Sequence, residues 1–178
     1  MAFVCPSWFS FILYNPVRKF FTDRNRVLED SCITRESVVL EIGAGNGFFT
    51  EAIAGRAKKV VAVELQQGMV RKLRKRVQRF GNTVEIVLKD IASADLAHDL
   101  ADVCLLYYSF HEIARQEEAA VIIARAVRPG GILLIYEPSI EVNRRDMETT
   151  VSLFKSLGFS PEKAHDTLFN RSALLRKQ

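Results

Sequence analysis

Cysteine is scarce: Cys5, Cys32 and Cys104 are the only three in 178 residues, too few and too far apart for a disulfide framework or a Cys-x-x-Cys metal or redox site. They read as reduced thiols, mostly buried. No apolar run approaches the roughly 20 residues that span a bilayer. The apolar stretch 1–14 lacks the basic n-region and small-residue cleavage site of a signal peptide. The expectation is a cytoplasmic protein. Charge of one sign is barely in excess, since 25 basic against 21 acidic residues leave +4, a mild preference for anionic partners. Repeats and low-complexity linkers are absent. What remains, 48% hydrophobic and 26% charged residues, is the balance of an ordinary globular chain with one packed core.

Short apolar, β-branched runs punctuate the chain at residues 38–42, 60–64, 84–88, 103–107 and 132–136. Each is nearly continuous in Val, Leu and Ile rather than alternating, as strands are when helices cover both faces of a parallel sheet. Helical patterns fill the gaps at 47–55, 68–80 and 113–127, giving the beat of βαβ units. Arg128-Pro129-Gly130-Gly131 breaks the chain before the fifth strand. A helix over 146–157, a Gly158 stop and two extended segments at 163–169 and 172–176 follow. Upstream, residues 16–28 predict an amphipathic helix with Asn15 as N-cap and Pro16 in the first turn.

The first strand runs into Glu41-Ile42-Gly43-Ala44-Gly45-Asn46-Gly47-Phe48, three glycines at alternate positions where a buried strand turns into a helix. Such a loop lets a ligand lie on bare backbone. A dinucleotide fingerprint needs its third glycine at position 48, where Phe48 stands, and Glu41 would repel a pyrophosphate. A cationic or zwitterionic ligand suits Glu41 better. Glu64, at the end of the second strand about twenty residues on, is placed to accept from ribose hydroxyls. A nucleoside carrying positive charge and an amino-acid portion describes S-adenosyl-L-methionine.

At these residues the sequence resembles the class I S-adenosylmethionine-dependent methyltransferases, over about residues 37–138. The resemblance implies that Glu41, Gly43, Ala44, Gly45, Asn46 and Gly47 form the loop at the methionine end, that Glu64 is the ribose acid, and that Leu65 lies against adenine. It further implies that Lys89-Asp90-Ile91 is the segment whose Asp90 accepts from the adenine amino group, with Ile91 and Tyr107 lining the cofactor. Tyr108-Ser109-Phe110-His111-Glu112-Ile113 is most similar to the quinone and small-molecule branch. An Asn/Asp-Pro-Pro-Tyr-like element, found in amino-methylating nucleic-acid enzymes, is missing after the fourth strand. The implied fold is α/β: a three-layer αβα sandwich around a Rossmann-like, mostly parallel seven-stranded sheet with an antiparallel last strand. Residues 1–178 read as one domain, with an N-terminal lid or helical segment (1–36), a cofactor core (37–138) and a C-terminal helix and strands (139–178).

His111 falls past the end of the fourth strand, on the rim where open α/β sheets hold their ligands, and is the catalytic candidate as a general base. A helix-capping or packing histidine is the alternative. His-Glu-x-x-His would need a histidine at 115, where Arg115 stands, so no metal is expected. Glu137 reaches the same rim, but a surface carboxylate is the commoner explanation. Cys104 lies inside a strand and reads as core. The expected acceptor is a small, apolar or aromatic molecule. The alternatives are an RNA or protein methyltransferase using the basic stretch 71–79, a cofactor-binding protein without catalysis, and an NAD module. Residues 1–14, with Phe3, Trp8, Phe9 and Phe11, read as a lid, a peripheral membrane contact or a homodimer contact.

Overall fold

The computed structural model describes residues 24–178, and its architecture follows from how the apolar runs pair. Strands β1 (Val38–Ile42), β2 (Lys59–Glu64), β3 (Val84–Leu88), β4 (Ala101–Tyr107) and β5 (Val127–Pro138) lie parallel to one another. β6 (Phe159–Asp166) and β7 (Asn170–Lys177) complete a seven-stranded sheet in which β7 runs antiparallel between β5 and β6. The order is β3-β2-β1-β4-β5-β7-β6. It is the expected mostly parallel sheet with its antiparallel last strand.

Strand side chains alternate across this sheet and build a core on each face. Leu40, Ile42, Val61, Val63, Cys104 and Leu106 pack with helices α4 (Gln116–Ala126) and α5 (Arg144–Ser156). Val39, Val60, Ala62, Val103 and Leu105 pack with α1 (Arg24–Asp30), α2 (Phe48–Ala54) and α3 (Gln67–Val77). Both faces are covered, which is why these strands carry almost no polar residues. α1 overlaps the helix expected over 16–28 at residues 24–28 and runs on to Asp30. It buries Val27 and Leu28 in the helical layer, and Tyr136 donates to Asp30 Oδ2 at 2.7 Å. The readings placed on residues 1–14, and Cys5, lie outside the described residues. No helix among the described residues is long and apolar enough to cross a membrane.

The structure corrects several boundaries. β5 begins at Val127 rather than after the glycines: Ala101 pairs with Val127 and Val103 with Ile132, so residues 128–131 bulge out within the strand. Arg128 Nε on Asp102 (2.5 Å) and Arg176 Nη1 on the Gly130 carbonyl (2.9 Å) pin that bulge. α5 starts at Arg144, because Asn143 and Asp146 form a reciprocal capping box; Asp146 sits inside the first turn. β6 lies four residues earlier than expected, and Thr167–Phe169 became the hairpin turn instead, with the Thr167 amide donating to Asn170 O at 2.7 Å. α4 starts only at Gln116, because residues 110–112 form a tight 3₁₀ turn instead. Of the two described cysteines only Cys104 is buried; Cys32 is exposed.

Candidate active site

The carboxyl ends of β1, β2, β4 and β5 meet along one rim, and the sheet reverses direction of growth between β1 and β4. Such a switch point opens a crevice in doubly wound sheets. The loop after β1 fills its floor: the Gly43 and Ala44 amides donate to Val63 O at 2.9 and 3.1 Å, and the Gly45 amide donates to Glu64 Oε2 at 2.8 Å. Gly43 has φ 72°, and a Cβ there would lie 2.5 Å from Ser109 Cβ, so bare backbone is what lets the β1 and β4 loops touch. At Gly45 a Cβ would find nothing nearer than 3.9 Å. That is the open side of the loop.

Four polar side chains lie buried beneath this rim. Glu41 is 4% exposed, and neither its Oε2 nor Thr50 Oγ1 on α2 has a hydrogen-bond partner among the described residues. Burial pushes the Glu41 carboxyl up to about 8 against the pull of the nearby Thr50 hydroxyl and amide, and the Glu64 charge adds to the rise. Ser109 Oγ is likewise buried without a partner. Glu64 is engaged at both oxygens, Oε1 accepting from the Gln66 amide at 2.7 Å; burial raises its pKa against the pull of the Gln66 and Gly45 amides. Leu65 beside it is exposed. Asn46 accepts from Arg76 Nη1 at 3.0 Å, and Tyr107 stacks on Tyr108 with centroids 4.2 Å apart.

Asp90 and Ile91 reach the same rim from β3. Asp90 Oδ1 caps a short 3₁₀ turn through the Ala92 amide (2.9 Å), while Oδ2 pairs with Arg115 at 2.8 Å; the Arg115 hydrogen bond holds its carboxyl below the ordinary range. Ile91 is buried beneath. The expected cofactor residues thus share one rim, and Asp90 is tied to Arg115 and Glu64 to the glycine loop.

On the β4–β5 side, Glu137 corrects the reading of a surface carboxylate: it is 2% exposed. Its Oε1 accepts from the amides of Phe110 (3.0 Å) and His111 (3.3 Å), and its Oε2 lies 2.5 Å from His111 Nδ1. His111 Nε2 faces Glu141 Oε2 at 3.1 Å. Burial works against a charged imidazole, but the Glu137 hydrogen bond and the charges of Glu137, Glu141 and Glu112 outweigh it, so the His111 pKa is raised. Burial also raises Glu112. Thr50, Ser109 and Glu141 escaped sequence reasoning. Thr50 had a signal, a polar residue on the buried face of an apolar helix turn; Glu141 had none beyond lying four residues after Glu137.

A model of the family described as methyltransferase domain matches residues 40–135, just over half of the chain. The chain belongs to the class I S-adenosylmethionine-dependent methyltransferases. The methyltransferase is similar along nearly its whole length to the structure of a SAM-dependent methyltransferase from Aquifex aeolicus, with TM-score 0.84 at 18% identity, covering 97% of this chain and 98% of that one. It is also similar to the N-methyltransferase NodS from Bradyrhizobium japonicum WM9 in complex with S-adenosyl-L-homocysteine, with TM-score 0.73 at 16% identity, covering 86% and 85% of the two chains. In sequence it is 42% identical over 72 residues to ribosomal RNA small subunit methyltransferase A of Bacillus thuringiensis, covering 40% of this chain and 24% of that protein. The methyltransferase therefore spans about a quarter of the length of the curated relatives it matches.

The crevice fits the family's cofactor. A buried carboxylate with an unpartnered oxygen, a buried hydroxyl with none and open backbone at Gly45 suit a ligand that brings a cation and hydrogen-bonding groups. A pyrophosphate would meet Glu41 and Glu64 instead. The methyltransferase also has a depression of about 270 Å³ at the opposite, amino-terminal edge of the sheet, lined by Cys32, Thr34, Asp102 and Arg128. None of the rim residues lines it.

Proposed function

We propose that this enzyme methylates a proton-bearing oxygen or nitrogen on a small acceptor with an apolar or aromatic body, and that His111 removes the proton. The observation that carries this reading is the buried Glu137 carboxylate 2.5 Å from His111 Nδ1. With Nδ1–H donated to Glu137, the imidazole presents its basic Nε2 outward, the orientation a general base needs. In the resting imidazolium Nε2–H donates to the exposed Glu141 at 3.1 Å, and once that proton has left, an acceptor hydroxyl or amine takes the place of Glu141. The loop bearing Glu141 joins the β6–β7 turn through the Ser139 amide on Phe169 O (3.0 Å) and Ser139 Oγ on Leu168 O (2.5 Å). Ile140 and Leu168, 91% and 88% exposed, stand on these two turns and favour an apolar acceptor body.

S-adenosyl-L-methionine supplies, when bound, a methyl group on a sulfonium and departs as a neutral thioether. In this reading Glu41, the loop residues Gly43, Ala44, Gly45, Asn46 and Gly47, Glu64, Leu65, Asp90, Ile91 and Tyr107 hold it. His111 takes the acceptor proton at Nε2, and Glu137 stabilises the resulting imidazolium. The test is transfer of labelled methyl to a panel of phenols, catechols, quinols and aromatic amines. His111→Asn is expected to lower kcat on the responding acceptor by about 10²–10⁴-fold with cofactor affinity unchanged. Full activity of that variant overturns the role of His111.

A second reading has a specific observation behind it. α3 and the turn after it expose Arg71, Lys72, Arg74, Lys75 and Arg79, and α3 itself carries no acidic residue. The matched stretch of the ribosomal RNA methyltransferase adds weight to an RNA acceptor. RNA binding through four of these cations would weaken about 50-fold between 50 and 200 mM salt, since single strands give a slope of roughly −0.7 per contact. Binding that survives Arg71→Glu with Arg74→Glu, or that ignores salt, removes this reading.

A further inference from the structure

We propose that Glu41 receives the cofactor's positive charge by giving up a proton, so that each cofactor molecule bound expels a proton from the enzyme. The geometry sets up the exchange. β1 places Glu41 with Ala62 of β2 and Leu105 of β4 as its neighbours across the sheet, both fully buried and apolar. α2 presents Thr50 to it, and the charged group that acts on it is another acid, Glu64 of β2. Among the described residues no lysine, arginine or histidine hydrogen-bonds to it, its Oε2 has no partner in good geometry, and the donors nearest to it are the hydroxyl and amide of Thr50. A carboxylate in such a place is strongly disfavoured, and the group holds its proton instead.

Glu64 faces the same crevice and behaves differently. Two backbone amides donate to its oxygens, so its negative charge is already partly compensated before any ligand arrives. Glu41 has only the Thr50 hydroxyl and amide beside it, whose pull does not outweigh its burial, and no cation among the described residues answers its charge. The cofactor has two candidates, an α-ammonium and a sulfonium. The demethylated product keeps only the ammonium, so it too draws the proton off, with less charge to hold the carboxylate. The proton bookkeeping is simple: Glu41–CO₂H becomes Glu41–CO₂⁻, and the proton passes to solvent and buffer. The inference rests on the family's cofactor and not on the acceptor proposed above.

The carboxyl lies at about 8 in the free enzyme, so roughly nine in ten molecules are protonated at pH 7 and one in ten at pH 9. The experiment is calorimetric titration of the full-length protein with S-adenosyl-L-homocysteine and S-adenosyl-L-methionine, in phosphate and in Tris at matched pH. The difference in apparent enthalpy between buffers counts protons. Release of about 0.9 proton at pH 7 is expected, with affinity rising roughly tenfold from pH 6 to pH 7; the titrations stay at or below pH 7, where the ligands' own α-ammonium keeps its proton. Glu41→Gln should bind with no buffer dependence, and Glu64→Gln should keep the release. Infrared difference spectra give a readout that needs no variant: the protonated-carboxyl band of the free enzyme disappears on loading. Absence of proton release from the wild-type enzyme at pH 7, or undiminished release from Glu41→Gln, overturns the proposal. Either result leaves the acceptor reading untouched.

Discussion

Replacing Glu137 with glutamine removes one charge from the rim while keeping the shape of the side chain. Its oxygen can still accept from the Phe110 and His111 amides, now 3.0 and 3.3 Å away. Its amide nitrogen then faces His111 Nδ1, 2.5 Å from Oε2 in the parent. An NH₂ group cannot accept from Nδ1–H, so the imidazole must turn its proton to Nε2, the atom that has to be free. One charge-assisted hydrogen bond is lost, about 1.5–3 kcal/mol. For a chain of this size that corresponds to a fall in Tm of roughly 3–12 °C. The His111 pKa is raised in the folded protein, so the ion-pair contribution is fully present below the unfolded value near 6.5 and fades as pH climbs through the folded one. Melting curves at about pH 5.5 and pH 9 should therefore show the larger deficit at the lower pH. Imidazole NMR, with the His111 signal assigned by its loss in His111→Asn, should show His111 titrating lower in the variant, and methyl transfer should fall by about 10²–10⁴-fold. An unchanged His111 titration, or a Tm deficit independent of pH, would refute the coupling between these two side chains.

Three further outcomes follow from the cofactor half of the crevice. Gly43→Ala meets Ser109 Cβ at 2.5 Å with φ at 72°, so denaturant unfolding should show a loss of about 1–3 kcal/mol together with weakened S-adenosylhomocysteine binding; parent-like values for both would contradict the packing. Glu64→Ala releases the Gly45 and Gln66 amides, now held at 2.8 and 2.7 Å, and calorimetry should find affinity reduced about 10–100-fold. The unfolded chain loses the Glu41 proton near pH 4.5 whereas the free native enzyme keeps it to about 8, so this carboxyl makes stability fall with rising pH across that window, by at most about 1.4 kcal/mol per unit. Glu41→Gln should flatten that slope in unfolding curves taken at several pH values, and an unaltered slope would assign it elsewhere.

Much of this was written in the chain. β1 to β4 are continuous runs of Val, Leu and Ile because both faces are covered, and that composition is visible without any partner strand. The three glycines and Glu64 marked the loop at the end of β1, since backbone that must touch Ser109 or receive a carboxylate has few substitutes. β6 was misplaced for the opposite reason. Five of its eight residues from Glu162 to Asp166 are exposed and polar or small, and its register is set by pairing with β7, not by its own pattern. Glu137 looked like any charged residue after a strand. Its burial depends on the amides of Phe110 and His111, twenty-seven and twenty-six residues away, curling back over it. Thr50 and Ser109 are ordinary hydroxyl residues until the fold leaves their oxygens without partners beside Glu41 and Gly43.

The order of strands divides the work of the rim between two parts of the molecule. β1, β2 and β3 end in Glu41, Glu64 and the Asp90 segment, while β4, β5 and β7 bring His111, Glu137 and, through the hydrogen bond from the Tyr108 hydroxyl to Asn170, the hairpin tip. Above the paired β1 and β4 the two halves meet where Gly43 faces Ser109 and where Arg115 pairs with Asp90. Loops 139–142 and 167–169 can therefore be exchanged or lengthened without disturbing the residues proposed to face the cofactor. If the acceptor lies against His111 as proposed, a graft confined to those two loops is the economical route to changing it while the donor side stays as it is.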